Sequence, residues 1–225
     1  AGVGEAYTVA AAAYSGLSKS VVLEENYPTG LAFSSDGTKM YVVGAQTDSV
    51  HQYTLATAWN VSTATYASLS ISIAAQDTDP RGLAFSSDGT KMYVVGQISD
   101  TVYQYTLATA WDLSTATYAS LSISIAAQNG VPMDMAFSSD GTKMFLIGGS
   151  TGIIYQYTLG TAWAINTATY SGISVAGPSG PSGIAFSSDG TNMFVTGTSA
   201  DYVYQYTLGT AWNVSTASLA LTFGF

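Results

Sequence analysis

Apolar and polar positions along this chain fall into short runs of two kinds, and the runs return in the same order. One kind is almost continuous, as in Met40-Tyr41-Val42-Val43 and Met92-Tyr93-Val94-Val95. Such runs suit strands covered on both faces. The other kind alternates: Leu69, Ile71 and Ile73 are interleaved with Ser68, Ser70 and Ser72. A period of two with serine on one side predicts an outermost strand with one wet face. Ser-Ser-Asp-Gly interrupts the apolar runs at 34–37, 86–89, 138–141 and 187–190. Asp-Gly between apolar runs predicts a hairpin, because the tight turn needs positive φ.

The interruptions divide the chain into units of four short strands. Pro28, Pro80, Pro132 and Pro181 each stand five residues before a phenylalanine, Phe33, Phe85, Phe137 and Phe186. Proline fixes φ and donates no ladder bond, so it suits the start of a strand. The second strand covers 39–44 and 91–96, and the third 50–55 and 102–107. The phenylalanines recur at intervals of 52, 52 and 49 residues, as do Trp59, Trp111, Trp163 and Trp212. A fixed period near 50 marks a repeat architecture. Four-stranded units repeated radially predict an all-β, four-bladed β-propeller. Its repeats span about 23–74, 75–126, 127–176 and 177–225, within one domain over 1–225. A β-solenoid would need shorter coils, and kelch-type blades carry a double-glycine signature that is absent. No helix of ten or more residues is predicted.

Residues 14–22 add a further copy of the alternating strand. Tyr7 precedes Tyr14 by seven residues, as Trp59 precedes Tyr66. Residues 1–22 are therefore expected to be a surplus strand from a preceding repeat. That strand could extend the last blade, be swapped into a neighbouring protomer, or mark the chain as part of a longer array.

The units PRGLAFSSDGTKMYVVG and SDTVYQYTLATA resemble the YVTN-type repeats of lactonase-like β-propellers. The closing TAWDLSTATY resembles the version seen in bacterial and marine phage surface proteins. The resemblance covers about residues 14–225. It implies the propeller fold, an extracellular, cell-surface or virion setting and, by analogy alone, a sugar-lactone hydrolase.

Composition narrows the partners. Charged residues make up 8% of the chain and hydrophobic ones 47%, against roughly 25% charged in an average domain. The surface must be polar through Ser, Thr, Tyr, Gln and Asn. A net charge of −9 with five Lys and Arg argues against nucleic acid, which needs clustered cations, and against anionic membranes. No apolar run reaches the ~18 residues of a membrane span. With no cysteine, disulfide and thiol chemistry are excluded.

Candidate chemistry is sparse. His51 fills a slot that Tyr103, Tyr155 and Tyr204 take elsewhere, and is expected to be a structural side chain. Asp36, Asp88, Asp140 and Asp189 recur in the turns, where Asp bonds its own backbone. They lack the alternate-position spacing of a calcium loop. The tryptophans could stack on sugars, but their identical placement favours packing between blades. Asn60-Val-Ser62 and Asn213-Val-Ser215 match the glycosylation pattern and are taken as chance. No catalytic residue, metal or cofactor is expected.

Differences between the repeats are more informative. Residues 30–76 and 82–128 differ at seven positions, 45, 46, 47, 49, 51, 60 and 61. Four of these lie around the loop between the second and third strands. The loops entering each blade also differ. Both loop sets should emerge on one face of the disc. That individual face, carrying Tyr27, Asp79, Arg81, Asn129, Met133, Gln46, Ile98 and Asp201, is the expected ligand-binding surface. The reading these features favour is a non-enzymatic extracellular or virion-surface module, binding a glycan or a protein on a cell surface. One alternative is a self-assembling structural protein, associating through strand 14–22. A lactonase-like hydrolase ranks last, for want of a cluster of acids, histidine or metal ligands.

Overall fold

A computed structural model of the chain describes residues 9, 12–199 and 201–224. Within them, sixteen strands form four antiparallel sheets, each in simple up-and-down order. Blade 1 holds β1 (Pro28–Phe33), β2 (Lys39–Gly44), β3 (Ser49–Leu55) and β4 (Ala64–Ser72). Blade 2 holds β5 (Pro80–Phe85), β6 (Lys91–Gly96), β7 (Thr101–Leu107) and β8 (Ala116–Ser124). Blade 3 holds β9 (Pro132–Phe137), β10 (Lys143–Gly148), β11 (Ile153–Leu159) and β12 (Ala168–Ala176). Blade 4 holds β13 (Pro181–Phe186), β14 (Asn192–Gly197), β15 (Tyr202–Leu208) and β16 (Ala217–Gly224). The fold is a four-bladed β-propeller.

The two apolar patterns sit where their periods demand. β2, β6 and β10 are buried along all but their first residue. The outer strands β4, β8 and β12 alternate between covered and exposed positions. In each outer pair the register slips once, as between Gln52 and Tyr53. In blades 1 to 3 two residues are extra, and the second takes positive φ: Ser68 at 57°, Ser120 at 56° and Gly172 at 72°. This is a bulge that bends the outer strand around the blade.

Each Asp-Gly turn is capped by the tryptophan of its own repeat. The Trp59 N–H donates to the Gly37 carbonyl at 2.9 Å. The indole lies so flat on Gly37 that a Cβ there would come within 2.3 Å of the ring. All four tryptophans hold positive φ, between 59° and 64°, a costly conformation for a bulky residue. Ring contacts and the turn bond offset that cost in every repeat.

Successive blades are joined by two recurring contacts. An aromatic of the second strand meets the phenylalanine of the next blade: Tyr41 and Phe85 at 4.5 Å, Tyr93 and Phe137 at 4.5 Å, Phe145 and Phe186 at 4.4 Å. A buried glutamine of the third strand accepts a backbone N–H of the next blade's 3₁₀ turn. Gln52 takes Leu113, Gln104 takes Ile165 and Gln156 takes Val214. The inner strands β1, β5, β9 and β13 pack side by side in that order. No comparable packing joins β13 back to β1.

The expected surplus strand needs a correction. Residues 14–22 lie in no ladder among the described residues. They nevertheless keep the outer-strand conformation. Gly16, at φ 79°, matches Ser68, and Val21 accepts the N–H groups of Glu24 and Glu25 as Ile73 accepts those of Gln76 and Asp77. The strand fails to form because every third strand is already paired with its own fourth. Tyr7 and the expected tail of a preceding repeat lie outside the described residues, apart from Val9, Ala12 and Ala13.

Candidate active site

The inner strands open with Pro-x-Gly in blades 1, 2 and 4, at Gly30, Gly82 and Gly183, but blade 3 carries Asp134 in place of the glycine. Glycine is required where inner strands crowd: a Cβ on Gly82 would lie 2.6 Å from Asp134 Oδ1. The single added carboxyl therefore sits against the neighbouring blade. Its Oδ1 accepts the Met135 N–H at 2.8 Å, and its Oδ2 accepts the Ile184 N–H of blade 4 at 2.9 Å. Burial pushes the Asp134 carboxyl up to about 7, and these two backbone bonds only partly oppose the shift. The one ion pair among the described residues, Arg81 with Asp79, is elsewhere.

Asp134 also lines a cavity of about 610 Å³. The cavity occupies the wedge between blades 1 and 4, where inner strands fail to meet. Leu31, Met40 and Val42 form one wall, and Ile184, Phe194 and Thr196 the other. Thr29, Ser182 and Thr196 supply hydroxyls, and Lys19 supplies a cation at the rim. An apolar cavity with a few convergent polar groups and one perturbed acid is the usual form of a small-molecule site. No cluster of three or more His, Cys, Asp or Glu that could hold a metal occurs among the described residues.

Three of the expected contact residues come together. The Arg81 guanidinium donates to Asp79 at 2.8 Å and lies 5.8 Å from the centre of the half-exposed Tyr27 ring. Gln46, Ile98 and Asp201 are exposed on separate loops and share no pocket. Met133 is half-buried and packs beside Gly149. Asn129 is 1% exposed and accepts the Val131 N–H, so it holds its own loop and presents no surface.

Asn129 belongs to a set that the sequence alone does not expose. Glu25 and Asp77 occupy the same buried position in blades 1 and 2. Glu25 accepts N–H groups from Tyr27, Gln46 and Thr47 and the Thr47 hydroxyl. Asp77 accepts from Asp79 and Ser99. These carboxylates clamp the variable loops from beneath. His51 is 6% exposed and faces Thr47 Oγ1 at 2.9 Å through Nε2. Thr47 gives its proton to Glu25, so His51 Nε2 must carry the hydrogen of that contact, and no nucleophile is left to activate. Burial holds the imidazole below its ordinary value. The turn aspartates behave as turn chemistry requires. Asp36 accepts from Ser34 and Thr38, and the Ser34 hydroxyl leads in holding it down at about 2.

No family model and no curated protein matches the chain. Among solved structures, a Bacteroides uniformis protein assigned as a 6-phosphogluconolactonase is similar, with TM-score 0.58 and 15% identity over 86% of this chain and 52% of its own. A Bacteroides fragilis protein with the same assignment gives 0.59, 15%, 86% and 52%. The periplasmic gluconolactonase of Pseudomonas aeruginosa gives 0.54, 16%, 87% and 53%. This chain spans about half the length of those structures, and the likeness is one of fold. These neighbours overturn the ranking drawn from the sequence. They count against placing the non-enzymatic binding module and the self-assembling protein ahead of the lactonase-like hydrolase, which that ranking placed last. Histidines and clustered acids were the signals sought in the sequence, whereas the acid that lines the cavity stands alone. The signal was available at Asp134, the one acid where the other repeats have glycine.

Proposed function

We propose that this chain carries a hydrolytic site for sugar lactones in the wedge cavity, with Asp134 as the general base. The observation that carries the reading is the half-buried Asp134, whose carboxyl packs against Gly82, lines the cavity and is raised to about 7. A base poised near the working pH is what general acid–base catalysis needs. In the proposed reaction, the Asp134 carboxylate takes a proton from a water molecule as the water oxygen adds to the lactone carbonyl. The tetrahedral intermediate collapses with cleavage of the ring C–O bond. The departing alkoxide recovers the proton from Asp134, giving a hydroxy acid. Hydroxyls of Thr29, Ser182 and Thr196 would meet those of the sugar. The neighbours assigned as gluconolactonases and 6-phosphogluconolactonases support this substrate class. An extracellular setting, and the YVTN-type repeat of bacterial and phage surface proteins, belong to the same proposal and draw support from the charge-poor surface.

The test follows hydrolysis of glucono-1,5-lactone and its 6-phosphate by acid release, for the wild-type chain and for Asp134→Gly. Glycine is native at this position in the other repeats, so the variant should fold. The expected result is a rate above the uncatalysed one that rises with pH through about 7 and falls at least ~100-fold in the variant. No acceleration with either lactone, or full activity in Asp134→Gly, would sink the reading.

A further inference from the structure

Blade 1 presents a rear face that no other blade covers. Trp59 is 61% exposed and Leu31 55% exposed, whereas Trp111, Trp163 and Trp212 are covered by the blade before them. The carbonyls of those three accept from the preceding blade: Trp111 from Lys39, Trp163 from Tyr93 and Trp212 from Lys143. Trp59 has no such donor among the described residues. Val61 repeats the contrast. It occupies the position of Leu113, Ile165 and Val214, whose N–H groups bond a glutamine of the preceding third strand. The Val61 N–H has no such acceptor among the described residues, and Val61 lines the wedge cavity.

Across that cavity lies the segment 14–22, which has the outer-strand pattern but pairs with no strand among the described residues. Residues 13–20 make no backbone–backbone hydrogen bond among the described residues, and residues 12–20 are all exposed. The segment is nonetheless held at both ends, by Val9 on blade 4 and by Glu25 in blade 1. Gly16 already carries the bulge conformation that β4 and β8 adopt when paired. A segment of strand pattern with unsatisfied ladder groups is a template for strand addition.

We propose that this edge is a docking site for one extended segment of third-strand pattern, V-x-Q-Y-T-L, supplied by another chain. The register follows from the existing blades. In β7 and β8, Tyr105 pairs with Tyr118, Gln104 with Leu121 and Val102 with Ile123. Transferred to the free edge, the tyrosine falls opposite Tyr14, the glutamine opposite Leu17 and the valine opposite Lys19. The glutamine side chain then reaches the Val61 N–H, the one donor of its class without an acceptor among the described residues. Two separate vacancies, a ladder edge and a backbone donor, are thus filled by one segment. Lys19 adds a preference, because the paired strands carry isoleucine, valine or phenylalanine there and a cation favours an acid opposite.

The test uses a fluorescein-labelled peptide, DTVYQYTLATA, titrated into the full chain and followed by anisotropy. Saturable binding is expected, weakened about tenfold when the peptide glutamine becomes leucine, since one buried donor loses its acceptor. Gly16→Val should weaken binding similarly, because a β-branched residue resists φ near 79°. Replacing the peptide valine by glutamate should strengthen binding to the wild type and weaken it to Lys19→Glu. A melting curve unchanged from wild type checks that Gly16→Val folds, and the glutamine and Lys19 comparisons decide if it does not. Equal binding of a scrambled peptide, no binding, or indifference to all these changes would overturn the proposal. So would a peptide-free dimer in sedimentation, which would mean that a second copy covers the edge.

Discussion

Gln205 Oε1 accepts the N–H of Val9 at 3.0 Å, across 196 residues of chain. The same bond joins each blade to the next through Gln52, Gln104 and Gln156. The N-terminal segment therefore docks on blade 4 as the 3₁₀ turn of a following blade would. The arc of four blades is closed by a connection rather than by packed strands. The wedge cavity lies where residues 14–22 pair with no inner strand among the described residues.

The two ends of this series should respond differently to loss of the glutamine. Gln104→Ala leaves the buried Ile165 N–H without an acceptor, at a cost of about 1–3 kcal/mol. Gln205→Ala releases the Val9 N–H and also the bond that Gln205 Nε2 donates to Asn192 Oδ1, both part-buried, and should cost less than Gln104→Ala, under about 1 kcal/mol. It should instead speed proteolysis within residues 12–20, which are already exposed. Denaturant melts with limited proteolysis check both. Equal loss of stability in the two variants would mean that the N-terminal segment is part of the cooperative core.

The tryptophans give a second contrast. Trp163 contacts Phe137 at 5.4 Å and Tyr93 of the preceding blade at 6.5 Å. Among the aromatic rings of the described residues Trp59 meets only Phe33, at 5.6 Å, and it is 61% exposed. Trp163→Ala should cost about 3–5 kcal/mol, in the range for large-to-small changes in a packed site. Trp59→Ala should cost less than half of that. Urea midpoints of the two variants measure the difference, and matching midpoints would mean that the turn contact, common to both, is what matters.

The architecture was legible because its signals repeat. Apolar runs, Asp-Gly turns and prolines recur at fixed spacing, and each repetition corrects the noise of the last. The candidate site was not legible for the converse reason. Asp134 occurs once, and its meaning depends on Gly82 and Ile184 lying beside it, neighbours that only radial packing provides. Asn129 was misleading because a variable position looks the same whether it faces solvent or clamps a loop. Residues 14–22 carry a true strand pattern, but a ladder needs a partner edge, and the pattern of one segment says nothing about whether such an edge is free.

Glu25 gives a prediction at acid pH. Burial pushes its carboxyl up, but bonds from Thr47, Tyr27 and Gln46 together win and hold it below its ordinary value. A depressed carboxylate adds stability that is present above its unfolded value and lost as pH falls through the folded one. The loop at 45–49 should therefore loosen below about pH 4.5, while Glu25→Gln should show a flatter acid limb. Glu25→Ala should cost about 1–3 kcal/mol at neutral pH by stranding the Thr47 and Tyr27 N–H groups. Hydrogen exchange at residues 46 and 47 between pH 3.5 and 6 reads the effect. Protection that does not change with pH in the wild type would remove the clamp from the account.

Asp134 predicts the opposite slope. Its folded-state value is raised, from an ordinary 3.8 to about 7. Between those values the unfolded chain has lost its proton while the folded chain keeps it. Stability contributed by this group is therefore full below about pH 4 and falls as pH rises to about 7, after which it is level. The whole swing is at most about 4 kcal/mol, from roughly 1.4 kcal/mol per pH unit. Asp134→Gly removes the group, so its stability relative to wild type should climb from pH 5 to pH 8. The activity proposed above should disappear in the same variant. A residue kept for catalysis and costly to the fold shows both effects together. Parallel stability curves for the two proteins would show that the carboxyl is ionised well below neutrality, and would take away the base on which the proposed hydrolysis depends.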